Sequence, residues 1–202
     1  EEIELEILKI DDEKPKNKKF KQSDFKPGFI EGLRKDYENL SALNERWKNI
    51  DDQNDPKWNV LFEMLNYEYK KKKKNELGKL VIFTESADTL DYLTERLNNE
   101  TLHRVLSITS TNRNKMFESI RENFDANFEG TFRNDYDIIL TTDVLAEGIN
   151  LHRANVIVNY DTPWNPTKLI QRLGRINRIG TKASFIYNYN FYPSEHGDKR
   201  IN

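Results

Sequence analysis

Four residues near the carboxyl end of the chain could do chemistry at a defined spacing: Gln171, Gly174, Arg175 and Arg178. At 100° per residue they fall together on one side of a helix, while Leu169, Leu173 and Ile176 form an apolar stripe opposite. Guanidinium groups three residues apart repel each other mildly unless an anion sits between them, and a polyphosphate fits that role. A glycine inside a helix costs about 1 kcal/mol relative to alanine, so Gly174 predicts the close approach of another group. The plain alternative is a solvated face whose arginines pair with carboxylates of the same domain. That alternative is preferred for Arg172, which lies off the shared face.

A second set of residues offers hydroxyls. Thr84 and Ser86 follow the apolar run Leu80-Val81-Ile82-Phe83, Thr109, Ser110 and Thr111 follow Arg104 to Ile108, and Thr141-Thr142-Asp143 follow Asp137 to Leu140. Small hydroxyls and freed amides at a helix start make phosphate contacts. They also cap helices with no ligand at all. Capping is the preferred reading for Thr84 and Ser86, and Asp143 is placed to cap a short helix from Val144. Trp164 either stacks on a base or packs against the sheet edge. Lys70 to Lys74 form a five-lysine run that suits nucleic acid or a solvated helix end equally. His103, His152 and His196 share no ligand spacing, so no metal site and no catalytic base is assigned to them.

These residues need elements to hold them. Short apolar strands are predicted over Leu80–Phe83, Arg104–Ile108, Asp137–Leu140, Val156–Val158 and Phe185–Tyr189, with helices between them over Asp88–Leu97, Arg113–Phe124, Val144–Glu147 and Pro166–Arg178. Such alternation predicts an α/β fold with a mainly parallel sheet and helices on both faces. Sheets of that kind bind ligands at the carboxyl ends of their strands. Asn165 and Pro166 open the last helix well, as cap and first residue. Ahead of this core, residues 1–10 alternate as a strand, Lys14–Lys21 read as a polar joint, and Phe29–Ile50 have helical spacing. Asp55 caps a further helix opening at Pro56.

The ordered motifs resemble the C-terminal half of a superfamily-two helicase or translocase. Gln171-x-x-Gly174-Arg175-x-x-Arg178 is similar to that superfamily's sixth motif, Thr141-Thr142-Asp143 through Glu147-Gly148-Ile149-Asn150 to its fifth, and Lys79 to Ser86 to its fourth. The likeness runs from about Pro56 to Tyr189. Asn159-Tyr160-Asp161-Thr162-Pro163-Trp164-Asn165-Pro166 and the Arg178-Ile179-Gly180 ending most resemble the Swi/Snf-type branch and its bacterial relatives. The resemblance implies a RecA-like lobe of the P-loop NTPase type, in which Arg178 is the arginine finger, Arg175 contacts the same phosphate and Gln171 orders the network. Gly148 and Asn150 would face the nucleotide, ATP. Thr142, with Thr84, Ser86, Thr109 and Ser110, would meet the nucleic-acid backbone. Many relatives carry Asp where this chain has Asn150, and an Asn keeps the ability to hydrogen-bond a ribose hydroxyl.

Composition bounds the rest. The chain has 202 residues, a third of them charged, at net −2, so any basic surface is local. It has no cysteine, which fits a reducing cytoplasm and excludes a disulfide framework. No apolar run is long enough for a membrane helix, so no membrane partner is expected. None of the eight glycines opens a G-x-x-x-x-G-K-[ST] loop, and the single Asp-Glu pair, Asp12-Glu13, lies in a polar stretch. The expectation is therefore a second motor lobe over residues 56–202, with residues 1–55 as an extension or a linker from the first lobe. The first Glu, in place of Met, suggests a piece of a longer protein. The missing first lobe would hold Mg²⁺ and the phosphate loop, and this fragment alone would not hydrolyse ATP. Double-stranded DNA is the expected track. The competing reading is a non-catalytic interaction module that keeps the fold, against which Gln171, Arg175 and Arg178 together argue.

Overall fold

Three four-residue strands with every position buried set the frame: β1 (Leu80–Phe83), β3 (Ile138–Thr141) and β4 (Val156–Asn159). Continuous apolar runs of this kind suit a sheet covered on both faces. The computed structural model describes residues 24–48, 55–71, 75–145 and 148–192. The strand expected in residues 1–10, the joint at 14–21 and residues 72–74 of the lysine run lie outside them. The chain divides into two compact units, residues 1–59 and 60–202.

In the first unit, helix α1 (Phe29–Lys48) has no buried residue, and Leu33, Tyr37, Leu40, Leu43 and Trp47 are exposed along it. Helix α2 (Pro56–Lys71), which from Val60 onward belongs to the second unit, opens where Asp55 accepts hydrogen bonds from the amides of Lys57 and Trp58 at 2.8 and 3.1 Å. That is the expected cap, with Pro56 at the first helical position.

The second unit continues with β1, α3 (Ala87–Glu100), β2 (Val105–Ile108), α4 (Phe117–Phe124), β3, a 3₁₀ turn at Asp143–Leu145, β4, α5 (Pro166–Ile176) and β5 (Tyr187–Asn190). All neighbouring strands are parallel, in the order β2-β3-β1-β4-β5. Period-two alternation splits the core. Val81, Phe83, Leu106, Ile108, Ile139 and Ile157 pack with Ile120 and Phe124 of α4, Leu145, and Ile176 of α5. Leu80, Ile82, Ile138, Leu140, Val156 and Val158 belong to the other face and are equally buried. Helix α3 lies on that second face, where Thr94 donates to Ser107 at 3.1 Å, and it buries Leu90, Leu93 and Leu97.

The strands fall within one or two residues of their expected places, helix α3 runs three residues past its expected end at Leu97, and three further helices differ. Helix α4 begins at Phe117, four residues later than predicted. Asn112 is the reason: its side chain accepts from the amide of Thr109 at 2.8 Å and donates to the carbonyl of Ser107 at 3.0 Å. Those local bonds hold the chain in turns that a helix cannot adopt. The segment after Thr142 forms a 3₁₀ turn over Asp143–Leu145, so Asp143 lies inside it and is not its cap. Helix α5 stops at Ile176, capped by the amide of Asn177 on Leu173, so Arg178 lies in the turn beyond.

Several large apolar side chains of this unit stay uncovered, including Trp164, Ile170, Ile179 and Phe185. No described helix is long and apolar enough to cross a membrane.

Candidate nucleotide and nucleic-acid site

The first two residues of α5 are fixed by Asn165, whose side chain accepts from the Thr167 amide at 2.9 Å, with Pro166 beside it. The helix then returns along the sheet and presents its charged side chains in sequence. Arg172, after Lys168, is fully buried. Its guanidinium donates from Nε to Asp143 at 2.8 Å, with Nη2 in ion-pair contact with the same carboxylate at 2.6 Å, and from Nη1 to Asn159 at 2.9 Å and to the carbonyl of Asp161 at 3.2 Å; it lies 4.9 Å from the Phe83 ring centroid. As expected for a residue off the shared face, Arg172 pairs with a carboxylate of its own lobe. Lys168 adds a second cation to Asp143 at 2.9 Å. Burial alone would raise the Asp143 carboxyl, but the hydrogen bonds from Lys168 and Arg172 outweigh it and hold the group below its ordinary value. Asp143 is thus an anchor for two cations, in place of the expected helix cap.

The hydroxyl residues cluster at the carboxyl ends of β2, β3 and β1, which are adjacent in the sheet. The register pairs Ile108 and Phe83 each with Thr141, so the turns that follow the three strands lie side by side. Ser86 caps α3, accepting from the Asp88 amide at 3.2 Å. The Thr109 hydroxyl is bonded to that of Thr111 at 2.8 Å, and Ser110 is exposed. Thr142 is half-buried. Thr84 differs from the rest. It is fully buried and donates to the Asp161 carboxylate, which also accepts from the Glu85 amide at 3.2 Å. This corrects the cap expected of Thr84, which Ser86 supplies instead; the Thr84 hydroxyl has no accessible surface in this lobe and is engaged by Asp161.

Further along α5, Gln171, Gly174 and Arg175 are half-buried, and Arg178 is exposed. The carbonyl of Arg175 accepts from the Leu151 amide at 2.8 Å, which ties the helix to the loop after the 3₁₀ turn. That loop brings Asn150 to Arg178: the Asn150 side-chain oxygen accepts from Arg178 Nη1, and Arg178 Nε donates to the Gly174 carbonyl at 3.1 Å. The other end of the Asn150 amide donates to Asp125 at 3.4 Å. Gly148, at the start of the same loop, has φ +80 and lies near the guanidinium of Arg113, 3.1 Å from where a Cβ would sit. Among the described residues, nothing beyond the neighbouring backbone of its own helix comes within 4 Å of a Cβ built on Gly174. The close approach predicted there is made by none of the described residues.

The structure therefore separates the expected site residues into two groups. Arg178, Asn150 and Gly174 touch one another on the flank of α5, with Arg175 bonded to the same loop. Ser86, Thr109, Ser110 and Thr142 share the strand ends. Asp161, Asn159 and Asp125 were not singled out from the sequence. Asp161 and Asn159 reach Arg172 and Thr84 only because β4 lies beside β1, with Asn159 in register with Phe83. A sequence reader who knew that strand order could have paired Asp161 with Thr84.

Residues 56–180 match the model of the helicase conserved C-terminal domain. An ATP-dependent helicase of Bacillus subtilis, YqhH, is 47% identical over 58 residues, which are 28% of this chain and 10% of that protein. A probable eukaryotic initiation factor 4A of Trypanosoma brucei brucei is 34% identical over 108 residues, 53% of this chain and 24% of that one. The chain thus spans about a tenth to a quarter of these curated relatives. Among solved structures, the C-terminal part of the Fun30 ATPase domain superposes with a TM-score of 0.57 at 19% identity, covering 83% of this chain and 51% of the other. Dbp5 of S. cerevisiae, bound to RNA and ADP BeF3, gives 0.51 at 23%, covering 72% and 34%. The structural likenesses concern fold alone, and that fold is RecA-like. With motifs, sheet order and family model in agreement, the chain belongs to the helicase conserved C-terminal domain family, as the C-terminal RecA-like lobe of a superfamily-two helicase.

Proposed function

We propose that this lobe is the C-terminal half of an ATP-driven motor that tracks along duplex DNA, and that Arg178 is its arginine finger. One observation carries the reading. Arg178 is oriented by two neutral acceptors, Asn150 and the Gly174 carbonyl, and among the described residues it meets no carboxylate within ion-pair distance. Its charge is aimed but not neutralised, which is the state needed for a partner anion. A triphosphate fits a flank that carries two arginines, Gln171 and a glycine with open space above it. ATP, when bound, supplies the phosphoanhydride whose cleavage drives such motors. Arg178 and Arg175 place positive charge on the oxygens of the terminal phosphoryl group, worth about 10³–10⁵ in rate for a finger. Gln171 orders the two guanidinium groups, and Gly148 and Asn150 line the nucleotide side. Mg²⁺ and the attacking water belong to the first lobe, residues 56–202 forming the second.

Ser86, Thr109, Ser110 and Thr142 supply hydroxyls and amides to a nucleic-acid backbone at the strand ends. Thr84 holds the Asp161 turn behind them. The choice of duplex DNA rests on the Swi/Snf-type stretch Asn159 to Pro166. A second reading, unwinding of RNA, draws support from relatives named as RNA helicases, such as dbp5 of Sclerotinia sclerotiorum, 27% identical over 129 residues. The deciding experiment is ATP turnover by the full-length protein with duplex DNA, single-stranded DNA, RNA or no polymer. Stimulation by duplex DNA alone supports the proposal, and stimulation by RNA alone replaces it with the second reading. In the same assay Arg178→Ala should lower the stimulated rate about 10³-fold or more while ATP binding persists. Unchanged turnover in Arg178→Ala would rule out the finger.

A further inference from the structure

A cavity of about 230 Å³ opens at the amino-terminal ends of β1, β4 and β5, the opposite end of the sheet from the hydroxyl residues, lined by Lys79, Ala126, Phe132, His152, Arg153 and Lys182. We propose that it binds a small phosphate-type anion, of the size of inorganic phosphate or pyrophosphate.

The two innermost cations of this cavity, Lys79 and Arg153, make their contacts with neutral groups. Lys79 is only 4% exposed. Its ammonium group donates to the carbonyl of Tyr136 at 2.5 Å and lies 4.7 Å from the Phe124 ring centroid. Arg153 makes three hydrogen bonds, all to neutral acceptors: the carbonyls of Glu122 at 2.7 Å and Arg133 at 3.0 Å, and the side chain of Asn134 at 2.7 Å. Its guanidinium stacks on Phe132, 4.7 Å from the ring centroid. Among the described residues neither cation has a carboxylate within ion-pair distance. The acids nearest Lys79 are engaged elsewhere, Asp137 with Arg104 at 2.7 Å and Asp135 with Arg133 at 2.7 Å. A buried ammonium group with a half-buried guanidinium acting on it, and no paired anion, is costly to keep.

His152 supplies the second observation. It is fully buried, and neither ring nitrogen has a hydrogen-bond partner among the described residues. The Asp125 carboxylate stands 3.7 Å from Nδ1, too far for a hydrogen bond. A buried polar group left so costs about 1–3 kcal/mol, and an anion in the cavity would place a negative charge beside the imidazole that lines it. Burial holds the imidazole below its ordinary pKa, and an incoming negative charge acts in the opposite sense. Size sets the ligand class. The cavity is smaller than the ~300–1,000 Å³ typical of nucleotide- or drug-sized pockets, and its remaining walls, Ala126 and Phe132, offer no further polar groups.

The test titrates sodium pyrophosphate, and inorganic phosphate in parallel, into the isotope-labelled 202-residue chain, with sodium chloride at matched ionic strength as control. The side-chain signals of Lys79 and His152 should shift and saturate with phosphate or pyrophosphate and stay still with chloride. Lys79, which burial and the nearby Arg153 lower to about 8 against the pull of Asp137, should titrate at higher pH once the anion is bound. Arg104 and Asp135 also act on Lys79 and are the same in both states, so their effects cancel in the comparison. Lys182 is exposed, and Lys182→Glu reverses a charge at the rim with the fold intact. It should weaken binding at least tenfold. Unmoved Lys79 and His152 signals, equal binding by Lys182→Glu, or shifts confined to Arg178 or to Ser110 and Thr142 would each overturn the proposal.

Discussion

Arg172 gives the clearest case of a single residue fixing a neighbourhood. Breaking a buried ion pair by removing one partner costs about 3–5 kcal/mol, because the other charge stays behind. Arg172→Ala should therefore lower stability by that amount in urea denaturation, since Asp143 keeps only Lys168. Arg172→Lys should recover less than half, since an ammonium cannot reach Asp143, Asn159 and the Asp161 carbonyl together. Asp143 adds a pH dependence. Its folded pKa lies below its unfolded one, so its contribution is full above the ordinary carboxylate value of ~4 and disappears as pH falls through that value towards the folded one. Asp143→Asn should flatten the acid side of the stability curve, measured as urea midpoint against pH. The wheel position of Arg172 indicated from sequence that it would pair with a carboxylate of its own domain, though not that it would be buried. Its acceptors were not legible, because they come from a neighbouring strand and no local spacing encodes strand order.

Helices show where local rules suffice and where they fail. Asn165, Ser86 and Asp55 cap as their types and positions predict, since the bond runs only two or three residues along the chain. The start of α4 and the end of α5 were misplaced because apolar periodicity continues through turns that side chains impose. Arg178 keeps its place near Gly174 even outside the helix, through its bond to that carbonyl. Gly174 allows a test that separates folding from function. With nothing within 4 Å of an added Cβ, Gly174→Ala should raise the melting stability of the chain by up to about 1 kcal/mol. If the open space serves the nucleotide or the first lobe, the same change should lower ATP turnover in the full-length protein. Gly180 is the converse. At φ +103, with Asn127 Oδ1 2.7 Å from an added Cβ, Gly180→Ala should cost about 1–3 kcal/mol by thermal denaturation.

At the scale of the molecule, class and sheet were readable because five short strands, three of them wholly buried, and the helices between them repeat a pattern that few folds satisfy. The grouping of Asp125, Asn150, His152 and Arg178 was not, since it depends on how one irregular loop lies along α5. The two units should also differ in protection. Amides of β1, β3 and β4 sit in a sheet buried on both faces, whereas α1 buries no side chain. Hydrogen exchange should therefore be orders of magnitude faster in α1 than in those strands. The uncovered side chains Trp164, Ile170, Ile179 and Phe185 have a consequence for how the chain behaves in concentrated solution. At net −2, long-range repulsion between copies is feeble, and contact between such side chains is attractive. The osmotic second virial coefficient should thus be negative near neutral pH, so that handling the lobe at high concentration becomes a problem of colloids before it becomes one of folding.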